Sequence, residues 1–207
     1  YHLDRSYYNN TPYLPGPGGI QARRPNQLFG SIRTIQNDEI ANYEGLSFVV
    51  RQRFSRGVQF LASYTWAHTL DISSDSNGGG TPMNPYNWRG DYGNSNWDLR
   101  HRFVASYLWE IPFFKRANGI VRNAFGNWQL NGITNLQSGF PINVSVGNDT
   151  ANTGANGTFR PNLVHAATAN CGDGHLTGCI DPSAFAAVPT GTFAYGNAGR
   201  NLVTGPH

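Results

Sequence analysis

Unbroken apolar runs, lysine, methionine and cysteine are what this sequence has least of. No run approaches the roughly 18 apolar residues that a membrane-crossing helix needs, and the mean hydropathy is -0.45. That argues against a helical membrane protein. The same test leaves β-barrels untouched, because half of every barrel strand is polar. Charge is also scarce, at 13% of residues, and Lys115 is the single lysine among 15 basic residues. The arginines form no basic run, so the formal charge of +3 does not read as a nucleic-acid surface. Cys171 and Cys179 are the only cysteines. With His175 between them they fall short of the four ligands of a structural zinc site, and a local disulfide in an oxidising compartment suits them better. No G-x-S-x-G, H-E-x-x-H or P-loop pattern occurs, so the expectation is a non-enzyme without metal or cofactor.

What the chain has instead is turn formers and aromatics: 25 Gly, 12 Pro, 5 Trp, 10 Tyr and 12 Phe. Residues 46–54 and 58–66 alternate apolar and polar and are joined only by Ser55-Arg56-Gly57. A polar segment of 27 residues, 71–97, follows them. Outer-membrane barrels join strands by short periplasmic turns and long outer loops, with about 9 to 11 residues per crossing. Leu46, Phe48, Val50 and Phe54 share one face, and Val58, Phe60, Ala62, Tyr64 and Trp66 share another. The pattern resumes with His101, Phe103, Ala105, Tyr107 and Trp109, and again with Trp128, Leu130, Thr134 and Leu136. The expected fold is therefore all-β, an antiparallel meander forming part of a transmembrane β-barrel. Strands are expected at about 42–54, 58–70, 98–111 and 128–144, with outer loops at 4–39, 71–97 and 145–207. Short additions are a strand over 30–36 and a helix over 118–125, where Ile120, Val121, Ala124 and Phe125 fall on a 3,4 spacing. The chain begins at Tyr1 without a leader, which reads as an internal piece of a longer protein.

Two groups of residues qualify as candidate sites. Arg51, Arg53, Arg100 and Arg102 lie on the polar faces and are expected to line the lumen, where they suit an acidic plug surface or an anionic ligand. The plainer alternative is that barrel interiors are polar in any case. The loop cluster Tyr86, Trp88, Arg89, Asp91, Tyr92 and Trp97 mixes aromatic planes with charge, as binding surfaces do. Sugar stacking or capture of an iron chelate would suit it, and so would simple self-packing. His101 between two arginines reads as a boundary residue. The single carboxylate of 148–157 is too little for calcium.

Four stretches carry a family resemblance: 54–71 (FSRGVQFLASYTWAHTLD), 91–112 (DYGNSNWDLRHRFVASYLWEIP), 127–141 (NWQLNGITNLQSGFP) and 181–206 (DPSAFAAVPTGTFAYGNAGRNLVTGP). Together they resemble the carboxy-terminal barrel of TonB-dependent outer-membrane receptors of the Oar-like subgroup. The resemblance implies an outer-membrane location, contact with outer-membrane lipid, and energised import of a scarce bulky ligand of the siderophore, oligosaccharide or peptide class. It also implies a plug domain and a TonB-type coupling protein as partners, acting through parts absent from these residues. The rival from another class is a secreted carbohydrate-binding or adhesive β-sandwich. The two differ in where apolar side chains go, since a sandwich hides its apolar face.

Overall fold

A computed structural model describes residues 2–74, 82–113, 118–126, 128–155, 157–167 and 180–206. Cys171 and Cys179, and with them the expected disulfide, lie outside the described residues. In chain order the strands are β1 (His2–Asn9), β2 (Ile32–Ser55), β3 (Val58–Asp71), β4 (Gly93–Asn94), β5 (His101–Glu110), β6 (Gln129–Gln137), β7 (Pro141–Ile142), β8 (Asn162–Leu163), β9 (Phe185–Ala186) and β10 (Val203–Thr204). One α-helix, α1 (Gly119–Phe125), occupies the 3,4-spaced segment. No helix among the described residues is long and apolar enough to cross a membrane. The chain divides into two compact units. A wall unit comprises Gly45–Ala67 and Leu99–Ser138, and a loop unit comprises Tyr1–Glu44, His68–Asp98 and Gly139–His207.

The wall unit is an antiparallel meander of the latter part of β2, most of β3, then β5 and β6. Arg56 (φ 53) and Gly57 (φ 81) both take positive φ, the requirement of a two-residue hairpin whose twist matches its strands. Register then fixes the faces. Phe60, Tyr107 and Gly132 lie opposite one another, as do Ala62, Ala105 and Thr134, and Tyr64, Phe103 and Leu136. These form the apolar face. Gln59, Leu108 and Asn131 share the other face with Thr65, Arg102 and Gln137. Ser47 Oγ lies 3.2 Å from Thr65 Oγ1, so alternation from Ser47 sets Arg51 and Arg53 on that polar face and Phe48 and Val50 on the apolar one.

The apolar row of β2 stays in contact with solvent: Leu46, Phe48, Val50 and Phe54 are all more than half exposed. A water-soluble sandwich would forfeit about 1.5 to 3 kcal/mol for each such side chain left uncovered, whereas a lipid-facing wall loses nothing. Aromatics bracket this face. Tyr64 and Phe103 sit towards one end and Tyr107 and Trp109 towards the hairpin end. The six-residue step from Phe103 to Trp109 spans about 20 Å, close to the height of a barrel's apolar band. Tyr64 Oη bonds His101 Nδ1 at 2.8 Å on the same face. Gly132 leaves room for the Tyr107 ring, since a Cβ there would come within 2.7 Å of its hydroxyl.

Two segments differ from the sequence-based expectation. β1 pairs with residues 32–40 of β2 in an eight-residue ladder; the short strand expected over 30–36 falls within β2, whereas residues 4–9 and 37–39 lie in the stretch expected as loop. Asn37, Asp38 and Glu39 have little strand propensity, but a continuous partner strand outweighs it, and the register slips between Leu3 and Asp4 as a bulge accommodates the misfit. At the other end the expected 128–144 strand stops at Gln137. Pro141 brings no N–H to a ladder, and β7 pairs instead with β10, through Val203 to Ile142 and Thr204 to Pro141. Gly139 permits this crossing: a Cβ there would lie 1.9 Å from Gly205 O.

Candidate functional site

The loop unit is held by polar groups more than by apolar ones. Its small core joins Met83, Ala151, Ala155 and Phe159, with the Tyr195 ring stacked on Phe159 at 6.3 Å. Burial raises the Tyr195 pKa above its ordinary value. Around this core run two buried ion pairs, Arg160 with Asp91 and Arg200 with Asp71, no side chain of which is more than 9% exposed. Arg160 Nε also donates to Ala198 O at 2.8 Å, and Asp91 Oδ2 accepts from Met83 N at 2.9 Å. Arg200 Nη2 further donates to Asn94 O at 3.0 Å and to Ser74 Oγ at 3.1 Å. Such pairs survive burial only when the remaining donors and acceptors are satisfied, which these carbonyls and hydroxyls largely accomplish. A lesser anchor is Asp181, whose pKa is held below 3.8 by the Ser183 hydroxyl and backbone N–H.

The sequence-predicted loop cluster is placed as follows. Trp97 is 70% exposed, yet its Nε1 donates to Ser74 O at 3.0 Å, so the indole is tied by its edge with its plane open. Tyr86 is exposed with its hydroxyl donating to Thr11 O at 2.7 Å, and its ring lies 4.7 Å from Tyr13. Tyr92 is exposed and accepts from Asn42 Nδ2 at 2.7 Å. Trp88 is half-buried beneath the Arg89 guanidinium, 5.3 Å from the ring centre. Asp91 takes a different part, buried as the partner of Arg160. Of the four arginines expected to line the lumen, Arg51, Arg53 and Arg102 are exposed and Arg100 is half-buried. Arg51 and Arg53 border a concavity of about 670 Å³ with Gln59, Leu61, Asn131 and Ile133.

Sequence reasoning missed a second feature of the loop unit. A polar cleft of about 100 Å³ is lined by Ser73, Ser74, Asn96, Asn143, Arg160 and Arg200, among others. Three buried polar atoms of its lining residues have no hydrogen-bond partner among the described residues: Ser73 Oγ, Asn143 Oδ1 and Arg200 Nε. Five separate stretches of chain supply the six named lining residues, so no local spacing could have announced the cleft. The only signal was the pair Arg200-Asn201 within an otherwise small-residue loop.

A family model described as an outer membrane beta barrel domain matches residues 1–207. The chain belongs to this outer-membrane β-barrel family. No curated protein and no solved structure matches it. The exposed apolar row of the barrel domain is thereby explained, since its solvent is the outer-membrane lipid, and its polar face is the one a barrel turns to its lumen. Among the described residues of the barrel domain, no group of three or more His, Cys, Asp or Glu is placed to hold a metal. The chemistry on offer in the loop unit is hydrogen bonding and aromatic stacking.

Proposed function

We propose that this chain forms part of the barrel and outer loops of a TonB-dependent receptor of the Oar-like kind, an importer and not an enzyme. The observation that carries the reading is a loop unit with its own core and buried ion pairs that nonetheless leaves the aromatic residues Trp97, Tyr86 and Tyr92 exposed. Exposed aromatic side chains fixed by their polar edges bind at little entropic cost. The lumen-side surface fits the partners such a receptor needs. Arg51, Arg53 and Arg102 flank the apolar Leu61 and Ile133 on the polar face, a mixture suited to a plug with an acidic, partly apolar surface. The coupling protein would act through that plug.

The test compares solute depletion from the medium by cells with and without the gene, in the presence and absence of the proton gradient. Gene-dependent uptake of one solute class should stop when the gradient is collapsed. Trp88→Ala with Trp97→Ala in the full-length protein should reduce that uptake by about tenfold, the loss of one hot-spot contact, at unchanged surface abundance. Uptake that continues without the gradient, or is indifferent to both tryptophans, would overturn the reading.

A further inference from the structure

The connection between β5 and β6 leaves the wall unit at its hairpin end. Val58, the first residue after the Arg56-Gly57 turn, pairs with Trp109, and Glu110 pairs with Gln129. Glu110 N donates to Gly57 O at 2.7 Å and Ile111 N to Trp128 O at 2.9 Å, so these bonds close the wall where its tight turn lies. Short turns of an outer-membrane barrel face the periplasm. The chain between Ile111 and Trp128, which carries α1, therefore stands at the periplasmic boundary of the bilayer.

Two properties of this connection select a partner. Its described apolar residues are uncovered: Ile120 is 85% exposed, Phe113 is more than half exposed and Val121 is exposed too. The 3,4 spacing that gathers Ile120, Val121, Ala124 and Phe125 into one stripe leaves Arg122 and Asn123 off it. Its charge, moreover, is of one sign. Lys115, Arg116 and Arg122 all fall here, and no Asp or Glu occurs between Glu110 and Asp149. An apolar stripe with cations beside it is the pattern of a helix lying in a membrane interface. The lipid surface also runs up to it, since Leu130 pairs with Trp109 on the apolar face and the exposed Trp128 follows two residues outwards, as aromatics at a bilayer boundary do. An acidic protein would answer the charges alone, whereas an anionic phospholipid answers them with its phosphate and the stripe with its acyl chains. We infer that α1 is an interfacial anchor: Ile120 and Val121 enter the periplasmic leaflet, and Arg122 meets anionic phospholipid headgroups.

The full-length protein, with Cys171→Ser and Cys179→Ser and a single nitroxide at position 120 or 123, would be placed in nanodiscs of phosphatidylcholine with or without phosphatidylglycerol. In anionic discs the label at 120 should be accessible to oxygen and shielded from a polar relaxation agent, and the label at 123 the reverse. Neutral discs should shift the label at 120 from lipid towards water. In anionic discs Arg122→Gln should shift the same equilibrium about fivefold, the worth of one basic residue at such a surface, whereas Arg122→Lys should hold it. Labels at positions 48 and 60 should stay lipid-facing in each variant, showing that the wall is intact. A label at 120 open to the polar agent in both discs would put the helix in water, and one shielded from both agents would put it against protein. Either result overturns the inference, and so does immersion indifferent to lipid charge and to Arg122. No solute and no proton gradient enter the measurement, so its outcome is independent of the transport reading.

Discussion

Asn10, Asn152 and Asn201 all take positive φ, between 53° and 58°, and all three bond across loops. Asn10 Nδ2 donates to the carbonyls of Asn26, Phe29 and Gly30, Asn152 to those of Gly16 and Gly18, and Asn201 to Asn94 O. Asparagine tolerates the left-handed region better than other side-chain-bearing residues, so one residue both turns the chain and staples it. These staples could not be foreseen from the spacing of residues, because such partners lie many residues away. Asp91 was legible as part of a site only by its company of aromatics. In place it is buried, and removing one member of a buried pair costs about 3 to 5 kcal/mol. Asp91→Ala should accordingly loosen the loop unit, seen as accelerated amide exchange over 82–98 and 158–162. Replacing both members, Asp91→Leu with Arg160→Met, should recover most of that protection, because the uncompensated charge is then gone. Equal loosening in single and double variants would show that the pair is not what holds these loops.

Strands were legible where one face had to be apolar and the other polar. β3 and β5 follow the alternation residue by residue, since a one-residue slip would turn every apolar side chain to the wrong face. Where pairing had to be known first, the pattern yielded no more than the short strand over 30–36. The ladder between β1 and residues 32–40 of β2 joins segments with no clean alternation, and β7 is held by a strand whose paired residues lie 61 and 63 positions further along the chain. The break between β6 and β7 hinges on backbone proximity at Gly139. Gly139→Ala should therefore part β7 from β10 and expose the Gly205 N–H, which donates to Phe140 O at 2.8 Å. The expected signs are faster exchange at residue 205 and new protease cleavage near 203–206, with the wall unit's exchange unchanged. Protection of Gly205 equal to the parent would rule the crossing out as the reason for this glycine.

For the whole chain, membership in the outer-membrane barrel family and the exposed apolar row make one prediction about surroundings. Nitroxide labels at positions 48, 60 and 103 should report a lipid-like environment, accessible to oxygen and shielded from polar relaxation agents, and those at 59 and 102 a polar one. Equal polarity at both sets would contradict the barrel arrangement of the wall. The chain was most legible at this scale, because lipid on one side and water on the other impose a period of two on every crossing. The cleft was least legible, since its residues meet only after the fold has formed. The ion pairs that border it carry a kinetic consequence. Asp71 and Arg200 are separated by 129 positions, and contacts of such long sequence separation form late, after the closure entropy of the intervening chain has been met. The loop unit is thus a closing step of biogenesis. Its latching waits on Arg200, and a barrel chain interrupted before that residue would carry these loops still unfastened.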